Sequence, residues 1–365
     1  MNKIWFGVLT VVFVIAGIAT AQGSIQYQVT AISNGLVPVV PTAINIGGLV
    51  VGYSSTNPIQ AVRYADGTWN NVGTLGGSWS TANGINASGQ IAGSSDVGGD
   101  TSHAFLYSGE VMQDLGTLGG TCSWANAINS GGQVVGQSYR SGGTDGYAFL
   151  YYGGVMQDLG SLGGTSPFYW GVSRANAIND AGQAAGDSAT RDGKGRAFLY
   201  DGEVMHDLGS LGGGYSSGND INAAGHVTGG STVAAGGPWH AFLYSDSSMH
   251  DLGTLLDGGS IAFAMNDSDQ VVGWSWSSDG LQYNGFLYSD GTMHDLNDLI
   301  DPLSGWHIVE PRAINDNGWI AATATDADGM WRVVLLTPTP EPSTLALVGI
   351  GLLTALTYRC RRRKV

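Results

Sequence analysis

Cysteine is nearly missing. The 365-residue chain has two. Cys360 lies at the far C-terminus and Cys122 stands alone in the body, so no disulfide can close within the body and no Cys-based zinc site can form there. Packing and backbone hydrogen bonds must hold the fold. Charge is also scarce, at 12% of residues, and positive charge is the scarcest. Six of the 14 basic residues and one of the 29 acids, Glu341, sit in the end segments, which leaves 8 basic and 28 acidic residues in the body, a net of −20. Such a body repels nucleic acid and anionic membrane surfaces, so no nucleic-acid partner is expected.

The apolar runs are at the two ends. Lys3 opens a short positive start, residues 4–18 are apolar apart from Gly and Thr, and Ala19-Thr20-Ala21 supplies a small-x-small site. This pattern reads as a secretory signal peptide over residues 1–21, removed by signal peptidase. The far end mirrors it. An apolar stretch at about 344–358 runs into Arg359, Arg361, Arg362, Arg363 and Lys364. A transmembrane helix followed by a basic cluster is expected, with the cluster in the cytoplasm and the body outside the inner membrane. The stretch is short for a span, but arginines snorkel and extend it.

Glycine, by contrast, is abundant, with 59 copies, which suits many short strands joined by turns. The body repeats with a period of about 45 residues. An apolar residue followed by Asn recurs at Ile44-Asn45, Ile85-Asn86, Ile128-Asn129, Ile178-Asn179, Ile221-Asn222, Met265-Asn266 and Ile314-Asn315. A second anchor reads His103-Ala104-Phe105-Leu106-Tyr107 and recurs at Tyr147, Arg196, His240 and Gly285, with weaker copies from Ala61 and Trp331. A third, Met112-Gln113-Asp114-Leu115-Gly116, recurs at Met156, Met205, Met249 and Met293, with divergent copies at Trp69 to Leu75 and Tyr27 to Ile32.

Each unit reads as four strands. In one copy these are residues 111–118, 125–128, 133–139 and 147–151, with the link to the next unit made by short turns such as Asp201-Gly202. The Asn-x-x-Gly between the second and third is a type I turn entering a left-handed residue. Only the copy at Asn266 has Asp269 instead of Gly, and strain or adaptation is expected there. The Phe-Leu-Tyr strands are apolar on both faces, so both faces must be covered. An all-β, seven-bladed β-propeller over residues 22–337 satisfies this, each blade packing on two neighbours. The first unit is expected to open at Tyr27 and the last to stop at Leu336.

With these anchors in view, the repeats resemble the HAF family of extracellular repeat proteins, named for the His-Ala-Phe found at His103 and His240. The last units resemble it too, in Asp295 to Ile300 and Gly305-Trp306; the first unit departs, with Ala-Val-Arg-Tyr in place of the His-Ala-Phe strand, and so does the seventh. The tail, residues 338–365, is similar to the PEP-CTERM sorting signal, through Pro340, Glu341, Pro342, Ser343 and Thr344 before the apolar stretch and the basic cluster. This resemblance implies an exosortase partner, cleavage near Pro-Glu-Pro, and passage from an inner-membrane-anchored precursor to the cell envelope or extracellular space.

No repeat carries a catalytic set, and the chain is expected not to be an enzyme. His206, His250 and His294 recur once per unit, so they lie at equivalent places and do not converge on one metal. The repeated Asp of Asp-Leu-Gly (Asp114, Asp158, Asp207, Asp251, Asp295) reads as an acceptor for turn amides. No cofactor is required. Calcium is the nearest candidate, at Asp96 with Asp100, Asp267 with Asp269, and Asp326 with Asp328, although these read first as solvated turn acids. Loop aromatics are the binding candidates: Phe168, Tyr169 and Trp170 in an insertion, and Trp239, Trp274 and Trp276 between the third and fourth strands, where flat faces can stack on sugars or anchor a partner. The expected role is structural, adhesive or binding, toward exopolysaccharide or another envelope component. The alternative is a glycan-acting hydrolase or lyase with its site in the central channel.

Overall fold

The computed structural model describes residues 27–33, 38–165 and 171–339. Residues 27–338 form one compact unit. The expected signal peptide and membrane helix (344–358), the Pro-Glu-Pro motif and the basic cluster lie outside the described residues. Among the described residues no helix is long and apolar enough to cross a membrane.

The described strands form seven antiparallel sheets of four strands each. Within six of them, hydrogen bonds run through strands that follow one another in the chain, as a hairpin-linked meander does; the seventh joins the first strand of the described chain to the last three. The inner strands, Val39–Ile44, Ser80–Ile85, Gly119–Ile128, Ser173–Ile178, Ser216–Ile221, Gly259–Met265 and His307–Ile314, open blades 1 to 7 in order. Each ends in the apolar residue of the first anchor, and the Asn that follows opens the expected turn. In blade 3 the Gly132 amide donates to the Asn129 carbonyl (3.0 Å) and Gly132 has φ +76°. Asp269 takes the same left-handed conformation, φ +57°. Its carboxylate accepts from Asn222 Nδ2 and bonds His226 Nδ1, both at 2.8 Å, so the copy is adapted as expected.

The apolar cores lie between blades. Phe149 on the third strand of blade 3 is fully buried against Ala92, Ala104 and Leu115 of blade 2 and Ala125, Ile128 and Val134 of its own blade. Phe105, Phe198, Phe242 and Phe286 are equally buried in their blades. Each such ring is worth about 2–3 kcal/mol of burial. The ring packs onto a glycine of the second strand. A Cβ on Gly136 would fall 1.9 Å from the Trp124 carbonyl and 2.9 Å from the Phe149 ring. Beside this glycine the inner strand carries a β-bulge, where the register slips between Ala125 and Ala127.

The blade boundaries correct the unit drawn from sequence. The Met-Gln-Asp strand, Val111–Asp114, is the outer strand of blade 2 and does not open the next unit. The turn at Asp201-Gly202 therefore lies within a blade, and Leu-Gly-x-Leu-Gly-Gly is the crossover to the next blade. Both partitions fit the repeat, and only pairing chooses between them. The short turn leaves the Phe-Leu-Tyr and Met-x-Asp strands in one hairpin. The same correction moves Tyr27–Ala31: it does not begin blade 1 but pairs with Trp331–Pro338 as the outer strand of blade 7. One sheet thus holds both ends of the repeat body. The Asn315 side chain reaches across the seam to the Asn45 carbonyl (2.9 Å).

Candidate functional site

The inner strands surround a central channel, and its wall is built by repetition. Each anchor Asn uses its side chain twice. Its Oδ1 accepts amides inside its own turn, as Asn179 does from Ala181 and Gln183. Its Nδ2 donates to the carbonyl of the equivalent Asn one blade on. The series runs Asn45, Asn86, Asn129, Asn179, Asn222, Asn266, Asn315 and back to Asn45, at 2.9–3.4 Å, a closed ring of seven. These asparagines are buried, and they border a cavity of about 250 Å³ at one mouth. Asp180, Asp267 and Asp316 share this mouth, but each carboxylate accepts the backbone amide of the preceding turn, from Ser130, Ala223 and Asp267 respectively.

Deeper in the channel, the unpaired bulge residues form a second tier. Thr42, Asn83, Asn126, Asn176 and Asn219 each donate to a carbonyl of the following blade at 2.7–2.8 Å. The series stops at Phe263 and Arg312, where the Arg312 guanidinium lies over the Phe263 ring, 4.6 Å from its centroid. Asp220 stands in this tier and lines a cavity of about 200 Å³. Its surface is partly open to the lumen, but blades enclose it on every side, and bulk water stabilises its charge poorly. Burial, helped by the charges of Asp267 and Asp316, pushes its carboxyl up to about 7, against amide bonds from Met265 and Ile221.

Serine makes a further set of ties that the sequence reading missed. Ser123, buried, accepts the Ala104 amide (2.8 Å) and donates to the Gly116 carbonyl, tying the third strand of blade 2 to its crossover. Ser80, Ser173, Ser216 and Ser260 take the Ala61, Ala148, Ala197 and Ala241 amides alike. The signal was present: a Ser five residues before the apolar residue of the Asn anchor in five of the seven copies, at constant spacing.

The repeated aspartates hold turn amides as expected: Asp114, Asp158, Asp207 and Asp251 accept from Gly116, Gly160, Gly209 and Gly253, and Asp295 from Asn297. Some also bind the strand beside them. His103 and His240, of the His-Ala-Phe segments, bond Asp114 and Asp251. His206, His250 and His294 lie on outer strands, far from the axis. His206 bonds the Asp201 carboxylate and His250 the Ser248 hydroxyl. Of the acids considered for calcium, Asp267 and Asp269 hold donors of the preceding blade, and Asp96 and Asp326 hold donors nearer by. Asp96 accepts from Ser78 and Gly98, which holds its carboxyl below the usual range, and Asp326 accepts from Asp328 and Met330 and pairs with Arg332.

The aromatic candidates are distributed as follows. Phe168, Tyr169 and Trp170 lie outside the described residues. Trp239, Trp274 and Trp276 do not sit in loops. They lie in the strands Trp239–Ser245 and Val271–Trp276 and are half-buried, because these hairpins run further than the repeat suggested. Trp274 packs on Phe263 and Tyr283, with centroids 5.6 and 5.2 Å away. Trp239 borders a small groove between blades 4 and 5 with Arg174, Asp187, Tyr215 and Ser217.

The fold and channel define a seven-bladed β-propeller knit by side-chain rings, one kind of repeat protein. The chain also carries a sorting signal: residues 338–363 match the family of the PEP-CTERM protein-sorting motif. That signal implies an exported protein sorted at the membrane with an exosortase as processing partner. No curated protein matches the chain. Among solved structures it is similar to TolB from Acinetobacter baumannii, with 12% identity, 80% of this chain and 65% of that one covered, and a TM-score of 0.45. It is similar to an acylaminoacyl peptidase from Pyrococcus horikoshii, with 10% identity, 85% and 53% covered, and a TM-score of 0.48. A dipeptidyl peptidase 4 from Porphyromonas gingivalis aligns at 14% identity over 81% and 52%, with a TM-score of 0.45. The chain thus spans less than two thirds of each of these three proteins. No functional conclusion follows from likeness at this level.

Proposed function

We propose that this chain is an exported repeat protein of the cell envelope or extracellular matrix, of the HAF-repeat kind, with a structural, adhesive or binding role and no catalytic one. The observation that carries the reading is the sorting signal at 338–363 joined to a propeller whose repeated polar side chains are occupied by one another. A rigid ring of this sort offers constant edges and variable faces. An exosortase cuts near Pro340-Glu341-Pro342, the basic cluster stays with the membrane, and the propeller is released toward exopolysaccharide or another envelope component. Cell fractionation with mass spectrometry of the mature C-terminus tests the sorting half. The expected product ends near Pro-Glu-Pro and is found in the envelope or medium; a full-length chain confined to the inner membrane overturns it.

One observation favours a second reading, a glycan-acting hydrolase or lyase in the channel. Asp220 is not repeated, and its carboxyl sits near neutrality, as a proton-transferring group does. Against that, both its oxygens are held by backbone amides of Ile221 and Met265. Release of reducing ends from polysaccharide, lost in Asp220→Asn, would support this reading over the binding one.

A further inference from the structure

The groove between blades 4 and 5 has a feature the repeat does not require. The second strand of every blade carries one residue opposite the Ala of His-Ala-Phe or its counterpart. It is Tyr53, Ser94, Gln137, Gly230, Trp274 and Thr323 in six blades, and Asp187 in blade 4. No scaffold role is common to that set, so the scaffold does not call for a carboxylate. Yet Asp187 is 2% exposed. Its Oδ1 is crowded, accepting from Arg174 Nη2 (3.0 Å), Asn176 Nδ2 (2.9 Å) and Ser217 Oγ (3.1 Å). Its Oδ2 is buried and accepts no hydrogen bond from any described residue. A buried acceptor without a donor is costly, and a ligand donor repays that cost.

The surroundings say which donor. The cavity is about 230 Å³ and lined by Arg174, Asp187, Tyr215, Ser217 and Trp239. The Trp239 ring rests on the bare backbone of Gly230, where an added Cβ would lie 3.1 Å from the indole. Tyr215, 40% exposed, stands beside it. The charge of Asp187 is already balanced by the Arg174 guanidinium at 3.0 Å. A cationic ligand would meet that guanidinium and an anionic one the carboxylate. A neutral hydroxyl donor meets neither penalty, and a sugar ring adds an apolar face for the indole.

The geometry points to this groove as a binding site for a neutral polysaccharide, with Asp187 Oδ2 accepting from a ring hydroxyl and Trp239 stacking on the sugar face. The inference rests on the binding role proposed above and gives it an address. The test uses the full chain in affinity electrophoresis through gels cast with dextran, galactomannan or alginate, backed by tryptophan-fluorescence titration. The wild type is expected to be retarded by a neutral polysaccharide and not by the uronate polymer alginate. Asp187→Asn and Trp239→Ala are each expected to weaken binding about tenfold or more, the size of one lost charge-assisted bond or one lost stacking face. Trp124→Ala, which removes an aromatic of blade 3 packed on Tyr139, should bind as the wild type does. Circular dichroism checks each fold, and if Asp187→Asn does not fold, Trp239→Ala decides. Undiminished binding by both groove variants overturns the site and leaves the binding role standing. Preference for alginate overturns the neutral class. No retardation of the wild type in any gel overturns the site and counts against the binding role as well.

Discussion

At the scale of single residues, the protein gives one side chain two jobs wherever it repeats. Asn179 closes its own turn and holds the next blade; Asp114 caps a Gly amide and holds His103. Asp220 breaks the pattern. Its carboxyl titrates at about 7 in the folded chain against an ordinary 3.8, because the enclosing blades desolvate it. A raised carboxyl is protonated in the native state over a range where the unfolded chain has lost the proton. Stability is therefore greatest toward the acid end of that range and falls as pH rises from about 4 to about 7, after which this group adds no further slope. Carboxylates held low, such as Asp96 and Asp257, act in the opposite sense and withdraw stability only as pH drops below the ordinary carboxylate range. Urea midpoints taken at about pH 5 and about pH 8 should thus be higher at the lower value, and Asp220→Asn should flatten the difference. An unchanged slope in the variant would contradict the assignment.

At the scale of elements, the strand Tyr27–Ala31 matters most for its length. It supplies the outer edge of blade 7, and Tyr27 is 4% exposed with its hydroxyl pushed up to about 12 by burial. Removing it bares the edge of Trp331–Pro338 and takes one side of the ring's seam away. A handful of backbone bonds at about 1 kcal/mol each and one buried tyrosine at about 2 kcal/mol give a loss of about 5 kcal/mol on deletion. Tyr27→Ala alone should cost about 3 kcal/mol, by cavity and lost burial. Equilibrium denaturation reads both, and a deletion as stable as the parent would mean that the inter-blade contacts suffice without this strand.

At the scale of the whole molecule, the ring has no free end among the described residues. An open array of repeats unfolds from its termini, each unit leaning only on its neighbours. Here Asn315 bonds Asn45, and one apolar cluster joins Ala313, Ala321 and Val333 to Ile44, Val50 and Val62. Blades 1 and 7 are neighbours like any others, so none can melt first without opening two interfaces. Thermal unfolding followed by circular dichroism and by tryptophan fluorescence should give one coincident transition. Two separated transitions would show that the seam is weaker than the other blade contacts.

The sequence by itself determined the repeat, the seven units, the Asn-x-x-Gly turns and the sorting signal, because each is written in contiguous residues with local conformational demands. It placed the apolar third strand between two covering faces, since Phe105 and Leu106 leave no polar face for water. What it left open was the cut. Tyr27 to Ile32 was recognisable as a third-anchor copy, but whether that strand opens a blade or closes one depends on which neighbour it bonds, and pairing partners up to 311 residues apart leave no local trace. The serines recur in the sequence, but what they bond, like the double tier of channel side chains and the unmatched oxygen of Asp187, is set by the assembled ring, for the same reason: each exists only when side chains of one blade meet the backbone or side chains of the next.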